Sequence, residues 1–160
     1  MVEETYSLIK ADADAVRQAW VSFIRPGILA IKAHDKRSGK WTPTHVRQQL
    51  EAGFRQQIFC ELHFIVRDAC DPVGFVVLKM YPDEFVGAVQ SLWVWLAYCK
   101  EWHRKVFPAV LPHIERYGME LGVENVDGLS SRGGWGRILA EHGYEEHQVL
   151  YRKPLYKDDK

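Results

Sequence analysis

Ile138-Leu139-Ala140-Glu141-His142-Gly143-Tyr144, followed after four residues by Val149-Leu150-Tyr151-Arg152-Lys153, is the stretch on which the fold turns. Trp135 to Glu141 reads as a short helix, because apolar residues fall at helical spacing and Gly143 supplies the left-handed residue that commonly ends one. Tyr144 to Lys153 then reads as a strand, with Ser130-Ser131 as the cap before the helix and Val123 to Leu129 as a short strand before that.

Working back from this segment, Val106, Val110, Ile114, Tyr117 and Leu121 trace the apolar stripe of a helix that Gly122 ends. Pro108 and Pro112 fall in its first turns, where Pro108 is tolerable only near the helix start. Val89 to Tyr98 is apolar on both faces, with Trp93 and Trp95 on one and Leu92, Val94 and Leu96 on the other, the pattern of a central strand. Ile58 to Val66 and Val73 to Tyr81 make a hairpin with Asp71-Pro72 marking its turn. Upstream, Thr5 to Lys10 alternates as a strand. Asp12 or Asp14 caps a helix through Val16, Ala19, Trp20, Phe23 and Ile24, which Pro26-Gly27 breaks before Ile28 to Ala33 resumes it. Thr44 starts a further short helix through Val46, Leu50 and Phe54. The order is strand, two helices, three strands, helix, strand, helix, strand, in one mixed α/β domain over 1–156 with a frayed tail at 157–160.

Lys plus Arg and Asp plus Glu both number 21, so no net field draws the molecule to nucleic acid or an anionic membrane. Hydrophobic residues at 47% and charged ones at 26% are those of a globular protein with a folded core. Cys60, Cys70 and Cys99 are odd in number and lack the spacing of a disulfide framework or a zinc site, which suits a reducing cytoplasm. The acidic start Met-Val-Glu-Glu is not a secretory signal, and Ser91 to Cys99 is far shorter than the roughly 20 residues of a membrane helix. No pair among the seven histidines has helical metal-ligand spacing.

The element order and the closing segment together resemble the GNAT (GCN5-related N-acetyltransferase) superfamily over nearly the whole chain. The resemblance implies a mixed sheet of about six strands flanked by helices, and a cofactor, acetyl-CoA or another acyl-CoA, held at the loop after the fourth strand. In the family that loop carries R/Q-x-x-G-x-G/A; here the overlay is Arg104-Lys105-Val106-Phe107-Pro108-Ala109. Arg104 and Ala109 match, Phe107 stands in place of the central glycine, and Pro108 brings no amide hydrogen. Lys100, His103, Arg104 and Lys105 make the loop basic, suited to a phosphate-bearing ligand or to a solvated turn. Ser131 and Arg132, followed by Gly133 and Gly134, offer either a second close approach to an anion or an ordinary helix cap. The family's proton-donating tyrosine falls at Leu139; Tyr98, Tyr144 and Tyr151 are substitutes by residue type.

Acyl transfer to an amine needs a proton acceptor. Glu61 and His63 alternate onto one face of their strand, where they form either a base pair in a cleft or two solvent-facing side chains. Asp83 and Glu84 sit in the turn before the central strand as acids near a substrate or as ordinary turn residues. Cys99 reads as a small apolar filler before it reads as a nucleophile, and Trp102 is the tryptophan expected to face ligand. The resemblance implies a cytoplasmic acyltransferase with a small-molecule or macromolecular amine acceptor and no membrane partner. Phe107 and Leu139 support an alternative, a non-catalytic member of the fold resembling phage virion-assembly proteins. The basic loop and aromatics are compatible with a third, a phage-type enzyme acting on nucleobases, with nucleic acid as partner.

Overall fold

A computed structural model of the chain describes residues 5–34, 42–82, 90–100, 103–128, 133–146 and 153. Strand β1 (Tyr6–Lys10) leads into α1 (Ala13–Ala19), where Asp12 caps by accepting the Ala15 amide at 2.8 Å. A π-helical turn (Trp20–Ile24) joins α1 to α2 (Arg25–His34), the Arg25 amide reaching back five residues to the Trp20 carbonyl. The sequence places the break at Pro26-Gly27; the structure places it one turn earlier. Pro26 lacks the N–H that a regular helix would aim at Ser22, and the widened turn before it absorbs that loss. Helix α3 (Pro43–Phe54) begins at Pro43 rather than Thr44, with Thr42 as the capping side chain and Val46 and Leu50 buried.

Strands β2 (Cys60–Arg67), β3 (Asp71–Pro82) and β4 (Gln90–Cys99) follow, then α4 (His103–Leu121), β5 (Asn125–Gly128) and α5 (Gly133–Glu141). Among the described residues five strands form one sheet in the order β1-β2-β3-β4-β5, antiparallel except for the parallel pair β4–β5. The fold is thus the expected α/β sheet flanked by helices; the expected last strand, Tyr144 to Lys153, lies mostly outside the described residues. Asp71 and Pro72 belong to β3, so the hairpin turn is at Asp68-Ala69 instead. Both have left-handed backbone (φ 51° and 58°), and the Cys70 amide closes the turn onto the Arg67 carbonyl at 3.0 Å. That is the turn whose twist matches two antiparallel strands. The Asp68 carboxylate offsets its strain by accepting the Thr5 amide at 2.9 Å.

One core lies between the sheet and α1, the π turn, α2 and α3, built on Trp20, Ile24, Ile28, Leu50, Leu62, Phe75 and Leu96. The other lies under α4, built on Ile65, Val76, Leu78, Leu92, Val106, Phe107, Val110 and Ile114. Each fully buried residue of this size contributes about 1.5–3 kcal/mol. The expectation that Leu96 shares a face with Leu92 and Val94 is overturned. Val77 pairs with Leu96 and Leu78 with Val94, so Trp95 is the extra residue of a β-bulge and every later side chain of β4 changes face. Gly74 sits where β3 crosses closest to β4: a Cβ there would collide with the backbone carbonyl of Tyr98. Gly74→Ala is expected to destabilise by at least ~2 kcal/mol, since strand backbone cannot step aside; a melting curve checks it.

The helix end of the closing segment is as the sequence predicts; its strand, Val149 to Lys153, lies outside the described residues but for Lys153. Gly143 has φ 83°, the Gly143 amide bonds to the Ala140 carbonyl, and the Tyr144 amide bonds to the Leu139 carbonyl. These two bonds are the Schellman end of a helix. The Tyr144 hydroxyl then lies 3.5 Å from Glu115 of α4, and burial first, then Glu115 and Asp127, push its ionisation above the ordinary tyrosine range.

Candidate functional site

Among the described residues the parallel pairing of β4 with β5 runs from Ser91↔Asn125 to Val94↔Gly128, the last described residue of β5. Strand β4 continues to Cys99, past Val94, its last described partner of β5, and the bulge at Trp95 follows directly. The Lys100 amide then donates to the Val73 carbonyl at 2.9 Å, fixing the exit of β4 three residues before α4 begins at His103. Lys100 and Lys105 are both exposed. An α-helix leaves the N–H groups of its first turn without partners inside the helix, and they favour an anion. Two cationic side chains beside such a turn suit a phosphate-bearing ligand.

The overlay that puts Arg104 to Ala109 in a loop is corrected by this geometry. All six residues are helical. Pro108 is the sixth residue of α4, and the N–H it lacks would have bonded the Arg104 carbonyl within the helix, so no first-turn amide is lost. Phe107 is 3% exposed and belongs to the core under α4 with Tyr6, Val73 and Val106. Ala109, exposed, is one residue further into the helix than Pro108. Ser131 and Arg132 lie outside the described residues, as do Asp83, Glu84, Trp102, His147 and Tyr151.

Glu61 and His63 do share a face, and that face is covered by α4. His63 is 4% exposed; the Glu61 side chain is 14% exposed. Glu61 Oε1 accepts from His63 Nε2 at 2.9 Å and from the Tyr117 hydroxyl at 2.5 Å, while Oε2 meets Lys10 Nζ at 3.2 Å. The Tyr117 ring lies 4.9 Å from that of His63. Burial resists the charge on Glu61, but hydrogen bonds from His63, Tyr117 and Lys10 outweigh it and hold the carboxyl down to about 2. The same contact, after burial, pushes Tyr117 above the ordinary tyrosine range. The sequence reading passed over Tyr117 as one member of an apolar stripe. Its signal was the hydroxyl, which needs a partner wherever a tyrosine is buried.

Tyr98 lies on the opposite face from Glu61 and His63, so the three candidates do not converge. Its ring packs at 5.4 Å from Phe75 and 6.1 Å from Phe23, against Gly27 of α2. On that face Lys79 Nζ donates to Gln49 Oε1 at 2.8 Å and stands 4.7 Å from the Trp95 ring, which His45 meets edge-on. Cys99 is buried, consistent with a filler, and none of the three cysteines is in a disulfide. Among the described residues no cluster of His, Cys, Asp and Glu could hold a metal, and no helix is long and apolar enough to cross a membrane.

The sequence matches no protein-family model and no curated protein sequence. Solved structures do match. An aminoglycoside N-acetyltransferase in complex with coenzyme A is 11% identical, with 97% of this chain and 98% of that one covered at a TM-score of 0.67. Glucosamine-6-phosphate N-acetyltransferase from Arabidopsis thaliana is 10% identical over 95% and 99% of the two chains, TM-score 0.63. An aminoglycoside acetyltransferase from an uncultured soil metagenomic sample, in complex with trehalose, is 12% identical over 94% and 97%, TM-score 0.64. The chain therefore shares, over nearly its whole length, the fold of these acetyltransferases.

Proposed function

We propose that the protein transfers an acyl group from an acyl-CoA, with acetyl-CoA the simplest donor, to an amine. The observation that carries this reading is the bulge at Trp95 in β4, the strand whose exit is followed by the first turn of α4 with exposed Lys100 and Lys105 beside it. Acetyltransferases of the same fold, one of them crystallised with coenzyme A, add support. When bound, acyl-CoA supplies a thioester whose acyl carbon gains a C–N bond to the amine as its C–S bond breaks.

The chain's own groups have four tasks. Lys100, Arg104, Lys105 and the first-turn amides of α4 hold the diphosphate, with Ser131 and Arg132 as the second anion contact; Ala109, exposed at the seventh position of α4, lies beyond that turn. Backbone amides of β4 beyond Val94 stabilise the oxyanion. The acceptor lies on the α3 side, near Trp95. Tyr98, on β4 beyond Val94, gives its proton to the leaving sulfur and is reprotonated by the proton that the amine nitrogen sheds as it is acylated. Glu61 and His63 we assign to anchoring α4 rather than to proton abstraction, because a carboxylate held at about 2 is a weak base at neutral pH.

A thiol-release assay with acetyl-CoA and a panel of aminoglycosides, amino-sugar phosphates and polyamines tests the reading. Amine-dependent release is expected, and Tyr98→Phe is expected to lower kcat about 100-fold with an unchanged melting temperature. Leu139, an apolar residue at the family's donor position, favours a second reading, a non-catalytic member of the fold. Binding of coenzyme A without turnover of any amine would support that one instead.

A further inference from the structure

At the β1–β2 edge of the sheet lies a cavity of about 600 Å³, between the end of β1, the start of β2 and the chain that leaves α3. This volume is within the range of small-molecule sites. The cavity is two strands removed from β4: Lys10 pairs with His63, Cys60 with Lys79, and Lys79 in turn with Trp93.

Its wall carries one charge of each sign. Lys10 and Glu61 line the cavity and stand 3.2 Å apart. Glu61 is charged at any physiological pH and has Oε1 committed to His63 and Tyr117, which leaves the Oε2 edge toward Lys10 to meet a ligand. Lys10 has a side chain 57% exposed and so can turn toward a ligand at little cost. Phe54 and Ile58 supply an apolar surface, and Gln56 and Gln57 supply amides. Gln56 holds a left-handed backbone (φ 59°), a strained conformation for a residue with a side chain, and such strain gathers at ligand sites.

The charges select the ligand. A lone cation would merely take the place of Lys10 on Glu61 with no pairing gained, and a lone anion would be repelled by the largely buried Glu61. A zwitterion keeps both matched, its ammonium on Glu61 and its carboxylate on Lys10. We propose that this cavity binds a free α-amino acid with an apolar side chain, at a site separate from the acyl-transfer cleft and independent of that reading.

The probe is free leucine, with N-acetyl-leucine and leucinamide as controls that lack one charge each, titrated into the full chain without acyl-CoA. Leucine is expected to raise the melting temperature saturably and the controls to leave it unchanged. Lys10→Met, at an exposed position, is expected to weaken leucine at least tenfold. Leucine should also move the side-chain amide resonances of Gln56 and Gln57 in the unmodified protein, a readout that does not depend on any variant folding. No response to leucine, an equal response to either control, or an undiminished response in Lys10→Met would overturn the proposal.

Discussion

Replacing Phe107 by alanine is expected to cost about 3–5 kcal/mol of stability and to leave the affinity for coenzyme A unchanged. In the sequence Phe107 stands where a cofactor loop would carry glycine, which suggests an aromatic plug. In the structure it is a core residue of α4, 3% exposed, in the same buried cluster as Val106 and Val110. Truncation therefore empties part of the core and opens nothing. Denaturant titration gives the first quantity and calorimetry the second; a gain in coenzyme A affinity would mean the ring occupies the ligand's space.

Glu61→Ala should be similarly severe, about 3–5 kcal/mol, because it strips a buried network of its one acceptor and leaves His63 and Tyr117 without it. Glu61→Gln keeps a carbonyl oxygen and is expected to cost less. The pH dependence separates charge from shape. The folded carboxyl sits at about 2 and the unfolded one at its ordinary 4.5, so between these values the unfolded chain binds the extra proton. Stability from this group is fully present above pH 4.5 and is lost as pH falls toward 2, a loss on the order of 2–3 kcal/mol. Glu61→Gln should remove that acid limb. Tyr117 works at the other extreme: its folded ionisation is raised, so its contribution holds through neutrality and is lost only as pH climbs past the ordinary tyrosine range. An acid limb of equal slope in Glu61→Gln would assign the loss to other carboxylates.

Local chemistry explains which parts of this molecule the sequence revealed. Gly143 announces a helix end because a left-handed residue is needed there, and the two capping bonds of the Schellman turn follow. Alternation exposed β4 as a strand buried on both faces. It could not reveal the bulge at Trp95, since a bulge is a mismatch between two strands and only the pairing with β3 defines it. The prolines misled in the opposite direction. Pro108 argues locally for a helix start, yet burial of Val106, Phe107 and Val110 carries α4 back to His103 at the cost of one intrahelical bond. For the same reason the phosphate-loop pattern, read by spacing, landed inside a helix. Glu61 and His63 were legible as two residues on one face, but their meaning depended on Tyr117, 56 residues away in sequence. What a strand face packs against is a tertiary fact.

Calorimetric titration of acetyl-CoA into the intact protein tests the central claim most directly. The account predicts saturable one-to-one binding that weakens with added salt and falls at least tenfold when Lys100 and Lys105 are both changed to glutamate, with the melting temperature of the free protein little altered at these exposed positions. No heat at millimolar acetyl-CoA, or binding indifferent to both lysines, would contradict it.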